Sequence, residues 1–170
     1  MSVMNKHDDG GDLRALRTPE LFRMYRRILR ELTRRGIVRT MNAPAGDYAE
    51  FLIAALTGGE LADNSEKSWD IQSPNGERIQ VKCRVVQEGK GGQRQLSPFR
   101  TWDFDRGVIV LFDDDYGIFR CVALPADVLR AHATYRKHVN GDVVRATDAL
   151  LNHEAAEDLT DKLKAVIEAR

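Results

Sequence analysis

The run "VIVLF" at residues 108–112 constrains the fold most strongly, because it has no polar side chain to turn toward water. A strand with one wet face alternates apolar and polar residues, whereas a strand covered on both faces is continuously apolar. We therefore predict a central strand here, with a neighbouring strand at residues 118–123 after the turn "DDDYG". Helices are predicted before and after these strands. The expected fold class is α/β (α+β), with a central mixed β-sheet flanked by helices.

Apolar spacing and end signals predict the helices. The first spans residues 18–35, with Thr18 as its N-cap and Gly36 just past its end. The second spans residues 47–56, "DYAEFLIAAL". A short helix is predicted to start in "PADVLRAHA", and a last helix covers residues 159–169.

An opening hairpin is predicted from residues 69–72 and 78–86, which flank the turn "SPNG". Together with the apolar run, these strands are expected to form a meander. Residues 87–107, which precede that run, are Gly-rich and include four basic residues, and a segment of this length is typical of a functional or mobile loop.

Composition limits the classes of function. The 26 basic and 26 acidic residues give zero net charge, so no whole-molecule field attracts a polyanion and any nucleic-acid contact must come from local patches. Cys83 and Cys121 form no CxxC pair, which argues against a disulfide scaffold or a structural zinc site. The sequence has no apolar run of the roughly 20 residues that cross a bilayer and no apolar signal segment, so we expect a cytoplasmic protein without a membrane partner.

Functional side chains are predicted to meet beside the opening hairpin. Because side chains alternate along a strand, Gln80, Lys82 and Arg84 share one face and the apolar residues between them pack on the other. Asp70 lies on the preceding strand within cross-strand reach, and Glu50 lies at the border of the apolar stripe of the second helix. An amide, an ammonium and two carboxylates are therefore expected to converge.

This arrangement resembles the PD-(D/E)xK nucleases, the restriction-endonuclease-like superfamily, in its QxK variant. The matching residues are Glu50 in "GDYAEFLIAAL", Asp70 in "SWDI", and Gln80 and Lys82 in "IQVK". The order of a helix with Glu, a strand with Asp and a strand with xK matches as well, over residues 47–131. The resemblance implies a restriction-endonuclease-like core, metal-dependent hydrolysis of DNA phosphodiester bonds, and catalytic roles for these four residues.

Two positions depart from the family pattern. Trp69 replaces the proline, at a position that is structural. Gln80 replaces the acidic residue, and an amide oxygen can contact Mg²⁺ but contributes no charge. Glu77 cannot replace it, because its odd offset places it on the other face of the strand. The number of metal ions therefore stays open, as does a variant that only binds.

The resemblance also implies the role of each residue. Asp70, Glu50 and Gln80 are the expected ligands of Mg²⁺, with Mn²⁺ as an alternative ion, and the bound metal neutralises the phosphate and acidifies a water. Lys82 is expected to orient or deprotonate that water, or to stabilise the transition state.

The predicted organisation is a disordered segment at residues 1–12 and one nuclease-like domain at residues 13–170. Within it we expect an arginine-rich helix at residues 18–35, a core at about residues 47–131 and a C-terminal helical segment at residues 143–170.

Basic residues outside the constellation are candidates for DNA contact, against the alternative of a solvated surface. The segment from residue 13 to residue 40 has nine arginines and two glutamates, which form a solvated face, pair with the acidic C-terminal segment, or contact phosphate or a second copy. The stretch "TYRKHVNGDVVR" is predicted to be a surface hairpin or loop, with DNA contact as the alternative. The candidate DNA-binding residues are Lys67, Arg84, Lys90, Arg94 and Arg100.

The expected function is a Mg²⁺-dependent endonuclease that acts on double-stranded DNA as a homodimer, because one site cuts one strand. Restriction or genome defence is the expected setting, and repair is the alternative. Two other classes stay open. One is a catalytically inactive nuclease-fold module that binds DNA, and the other is a structural or regulatory protein whose arginine-rich helix binds an acidic partner.

Overall fold

The computed structural model describes residues 12–63, 68–87 and 94–170. The chain forms two compact units, one ending at Asn42 and one extending from Ala43 to Arg170. Residues 1–11, most of the segment predicted to be disordered, lie outside the described residues.

The first unit is built on one long helix. A 3₁₀ turn at Leu13–Ala15 precedes α1, Thr18–Arg34. The N-cap of α1 is Arg17, whose backbone N–H donates to the Glu20 carboxylate at 2.8 Å. The prediction of Thr18 as the cap was therefore wrong by one position, because a glutamate in the first turn satisfies the start of the helix. Gly36 follows the helix with φ of 70°, a left-handed conformation that suits glycine and ends the helix as predicted.

The two sides of α1 differ in what they expose. Phe22 is 68% exposed and Ile28 is 52% exposed, so much of the apolar side is uncovered. On the basic side, Arg34 and Arg35 both pair with Glu31, at 2.7 and 2.8 Å. Hydrogen bonds from these two arginines lower the pKa of Glu31 to about 2. Part of the arginine run is therefore paired within its own helix.

The second unit contains the sheet and the remaining helices. Its elements in chain order are α2 (Ala45–Thr57), β1 (Glu60–Leu61), β2 (Ile71–Gln72), β3 (Arg78–Val85), β4 (Arg106–Phe112), β5 (Ile118–Pro125), α3 (Ala126–Ala131), β6 (Thr134–Arg136), β7 (Gly141–Val143), α4 (Asp148–Leu151), β8 (Glu157–Asp158) and α5 (Thr160–Glu168).

The main sheet has six strands in the order β1-β2-β3-β4-β5-β8. Strands β3 and β4 are parallel, and the other neighbours are antiparallel. The mixed sheet flanked by helices is therefore confirmed, and β4 is the interior strand predicted from its apolar run. The meander prediction fails at one pair, because the chain crosses over between β3 and β4 instead of turning back.

Two apolar layers cover the sheet. Ile79 and Val81 of β3 and Val108, Val110 and Phe112 of β4 pack with α2 and α5 on one face. Ile109 and Leu111 pack on the other face with α3, α4 and the segment that precedes β4. The layers explain why residues 107–112 are buried throughout.

Two short strands, β1 and β8, were not predicted from the sequence. β1 extends the opening hairpin, and β8 adds an edge strand beside β5 within the C-terminal segment predicted to be helical. β6 and β7 form a separate antiparallel hairpin in the stretch "TYRKHVNGDVVR", where a hairpin or loop was expected. Among the described residues, no helix combines the length and the apolar composition that a membrane span requires.

Candidate active site

Asp70 and Gln80 are joined directly at the start of the opening hairpin. The backbone N–H of Asp70 donates to the Ile79 carbonyl at 2.8 Å, which fixes Asp70 beside β3. One carboxylate oxygen, Oδ2, then accepts from Gln80 Nε2 at 2.5 Å and from the Val81 N–H at 2.7 Å. The carboxylate therefore lies across the strand from Gln80, as the alternation of side chains predicts.

Lys82 lies two residues further along the same face of β3. Its Nζ donates to the Pro98 carbonyl at 3.2 Å and lies 5.0 Å from the centre of the Phe99 ring. Burial lowers the pKa of Lys82, and the negative charges of Asp70 and Glu50 oppose that shift. The amine thus interacts with both carboxylates of the predicted site while being partly withdrawn from water.

Glu50 lies on α2, which packs on the face of β3 that carries Ile79 and Val81. Its side chain is half-buried, and its charge acts on Lys82 and on Cys83. Burial raises the pKa of the Cys83 thiol to about 11, and Glu50 adds to that rise. Cys83 is therefore a neutral neighbour of the site near neutral pH. The charges of Asp70 and Glu50 both act on Lys82, but α2 packs on the face of the sheet opposite to the Pro98 and Phe99 that cover Lys82.

The donor set fits Mg²⁺ in kind. Mg²⁺ prefers oxygen ligands and retains several waters, so one or two carboxylates and an amide oxygen are sufficient. Glu50 and Asp70 provide the carboxylates. Gln80 directs its amide nitrogen toward Asp70, so coordination through its oxygen requires the amide to turn about its soft terminal torsion. Among the described residues, no group of three or more His, Cys, Asp and Glu side chains is placed to hold a metal ion.

The predicted DNA-binding residues have different surroundings. Arg84 is exposed on β3, on the same face as Lys82. Arg94 pairs with Asp148 and lies over the Phe119 ring at 5.4 Å, so its guanidinium already has partners within the protein. Lys67 and Lys90 lie outside the described residues.

Arg100 is exposed, but its guanidinium donates to two backbone carbonyls. The acceptors are the carbonyls of Val139 and, at 2.7 Å, Asn140. Its positive charge also contributes to the lowered pKa of Lys82. Arg100 therefore joins the site to the β6–β7 hairpin.

The sequence did not indicate which residues cover Lys82. The described part of the long connection before β4 is packed: Phe99 stacks on Trp102 at 4.8 Å, and an isolated bridge joins Phe99 to Asp142. The cluster of aromatic residues in "PFRTWDF" was the available signal, because closely spaced aromatic side chains indicate packing more than mobility.

The acids of the C-terminal segment pair within the second unit. Arg106 contacts Glu157 at 2.6 Å, and Arg120 contacts Asp158 at 3.4 Å. Pairing with the acidic C-terminal segment was one alternative for the arginine-rich helix, and these two acids pair with arginines of the sheet strands β4 and β5.

Comparison with known proteins gives no family assignment. No family model matches the chain, and no curated protein matches it. The resemblance to the PD-(D/E)xK nucleases therefore rests on four residues and on the order of the elements that carry them.

Proposed function

We propose that the chain is a Mg²⁺-dependent endonuclease that hydrolyses phosphodiester bonds of double-stranded DNA. The observation that carries this proposal is the hydrogen bond from Gln80 to Asp70 beside β3, with Lys82 on the same face of β3 and the charges of Asp70 and Glu50 both acting on its amine. A half-buried amine held among carboxylates costs stability, which is common where a protein positions a catalytic group.

Each residue has a distinct role in the proposal. Asp70, Glu50 and Gln80 hold the metal, which when bound neutralises the scissile phosphate and acidifies a water. Mn²⁺ has similar ligand preferences and is the alternative ion. The Pro98 carbonyl fixes the position of Lys82 Nζ, and the lowered pKa of Lys82 favours its role as proton acceptor over a purely electrostatic role.

We further propose that the protein acts as a homodimer, because a break in both strands needs two sites. The apolar side of α1, with Phe22 at 68% and Ile28 at 52% exposure, is the surface we assign to the second copy. Restriction or genome defence is the setting that best suits such an enzyme, and the proposed compartment is the cytoplasm.

One observation favours a second candidate function. Gln80 is uncharged, and its amide nitrogen already donates to Asp70 at 2.5 Å. A scaffold that has lost an acidic ligand and closed its site with an internal hydrogen bond could bind DNA without cutting it.

One assay distinguishes the two candidate functions. The wild-type protein is incubated with supercoiled plasmid in Mg²⁺, in Mn²⁺ and in EDTA, and its binding to a labelled duplex is measured without metal. The endonuclease proposal predicts relaxed or linear plasmid only when a metal is present. Binding without cleavage in either metal would support the inactive module. If the protein neither binds nor cuts DNA, both candidates are refuted.

A further inference from the structure

The β6–β7 hairpin, residues 134–143, presents unpaired basic side chains to solvent. Every residue of β6 is exposed, Tyr135 by 59%, and the exposed side chains of Lys137 and His138 follow in the turn. Arg136 and Lys137 have no acidic partner within ion-pair distance among the described residues. In a chain with zero net charge, two adjacent unpaired cations on an exposed ribbon form a local positive patch.

Four contacts hold this hairpin in a fixed position. The backbones of Phe99 and Asp142 exchange hydrogen bonds at 2.8 and 3.0 Å. Trp102 Nε1 donates to the Asp142 carboxylate at 2.7 Å, so the acid of β7 is turned inward and does not neutralise the exposed cations. Arg100 donates to carbonyls at the tip, and a Cβ at Gly141 would lie 2.8 Å from that of Pro98.

The same anchoring segment contacts the candidate active site. Pro98 accepts a hydrogen bond from Lys82, Phe99 lies beside the Lys82 amine, and Arg100 acts on its pKa. The hairpin is thus separated from Lys82 by a single layer of residues, all of which are packed or hydrogen-bonded.

We propose that the β6–β7 hairpin binds the backbone of the DNA duplex next to the cleavage site, with Arg136 and Lys137 on phosphates. This inference rests on the proposed function and adds to it the surface that places the substrate. A two-stranded ribbon fits the major groove of B-DNA, which is about 12 Å wide. Phosphate contacts from such a ribbon position the duplex without reading its sequence, and the rigid anchor transmits that position to Lys82.

The test is a comparison of two double variants. Arg136→Gln/Lys137→Gln removes two charges from the hairpin. Lys162→Gln/Lys164→Gln removes two charges from α5, which packs on the opposite face of the sheet. Binding of each protein to a short fluorescent duplex is measured by anisotropy in EDTA over a series of salt concentrations, and far-UV circular dichroism checks that each variant is folded.

The proposal predicts that the hairpin variant binds roughly 10- to 100-fold more weakly at about 0.1 M salt, because each lost phosphate contact removes nearly one unit of the salt slope. The α5 variant should bind like the wild type.

Equal binding by both variants and the wild type overturns the assignment, and so does an equal loss in both variants. If the wild type cuts plasmid while the hairpin variant binds normally, only this inference fails, whereas a wild type that neither binds nor cuts refutes the proposed function as well.

Discussion

Lys82 is the residue at which stability and the proposed chemistry oppose each other. Burial lowers the pKa of its amine, while Asp70 and Glu50 favour the charged form. Since burial is the largest of these effects, the charged amine is less favourable in the folded protein than in water. A side chain kept only for packing would not need that charge.

Replacement of Lys82 by methionine should separate the two effects. We expect Lys82→Met to lose plasmid cleavage and to equal or exceed the wild type in free energy of unfolding near neutral pH. Because the pKa of Lys82 is lowered by folding, the unfolded state binds more protons between that value and the ordinary pKa of lysine. The stability of the wild type relative to the variant should therefore increase as pH rises through this interval.

Urea unfolding of both proteins at several pH values measures this difference. A difference in stability that stays constant, or that moves against the wild type as pH rises, contradicts the assigned cause of the pKa shift. The companion variant Lys164→Met, at an exposed position on α5, should show no such dependence.

Substitution of Gln80 tests directly whether a metal ion binds beside it. Gln80→Glu places a second carboxylate against Asp70 Oδ2, which now lies 2.5 Å from the amide nitrogen. We expect a loss of about 1–3 kcal/mol in metal-free buffer, since a hydrogen bond to a carboxylate is replaced by repulsion. Mg²⁺ should restore stability, and the midpoint of thermal unfolding should rise more with Mg²⁺ for this variant than for the wild type.

The exposed Gln95 supplies the matched control, because Gln95→Glu changes charge equally away from the site. If Mg²⁺ shifts both variants by the same amount, Gln80 is not adjacent to a metal.

At this scale the sequence predicted that Gln80 and Lys82 share one face of a strand and that Asp70 lies opposite Gln80, because side chains alternate along a strand. The convergence of Glu50 with these residues stays a prediction. The sequence could not predict Pro98 as the partner of Lys82. The two residues are 16 positions apart, and the contact depends on how the connection folds back over the sheet. No periodic pattern encodes such a contact.

At the scale of elements, the approach of α3 to β4 depends on one glycine. A Cβ at Gly107 would lie 2.2 Å from Leu129 Cδ1, and Leu129 is fully buried. A side chain at this position would force the buried Leu129 side chain, or the helix or strand beside it, to shift. The glycine therefore permits the layer that covers the interior strand.

Gly107→Ala should destabilise the protein by about 1–3 kcal/mol, the usual result of overpacking. Gly46→Ala is the control, since Gly46 lies in the first turn of α2 and an added methyl group would have no atom within 4 Å. That change should instead stabilise by roughly 0.5–1 kcal/mol, because alanine loses less conformational freedom in a helix. Chemical denaturation measures both, and a well-tolerated Gly107→Ala contradicts the packing.

At this scale, the sequence did not show which strands pair or in which direction they run. The apolar run identified β4 as an interior strand, because continuous burial is visible in sequence. Its parallel pairing with β3 was not visible, since parallel and antiparallel neighbours of a buried strand have the same composition. The short strands β1 and β8, each of two residues, are held by pairing with longer strands and give no pattern of their own.

At the scale of the whole molecule, zero net charge means that the proposed DNA binding must depend on local patches. The basic hairpin is such a patch, and the exposed apolar side of α1 is a second surface of different chemistry. The first suits phosphate and the second suits an apolar partner, so duplex binding and self-association should be separable by mutation.

We expect the wild type to sediment as a dimer and Phe22→Gln/Ile28→Gln to sediment as a monomer, because the changes remove apolar contact area from α1. The control Arg23→Gln/Arg30→Gln alters two exposed residues of the same helix and should remain a dimer. Sedimentation velocity distinguishes these states. A wild type that is monomeric at all concentrations, or a control that dissociates equally, contradicts the assignment of this surface.

The central claim is that Asp70 and Lys82 belong to one metal-dependent nuclease centre. The most direct measurement is the rate of nicking of supercoiled plasmid in Mg²⁺ by the wild type, Asp70→Asn, Lys82→Met and the control Asp161→Asn, which changes an exposed carboxylate on α5. We predict nicking by the wild type and the control, and at least a hundredfold loss in the two site variants, roughly the effect of removing a group essential for proton transfer or metal binding. Nicking by Asp70→Asn and Lys82→Met at the wild-type rate would contradict the claim.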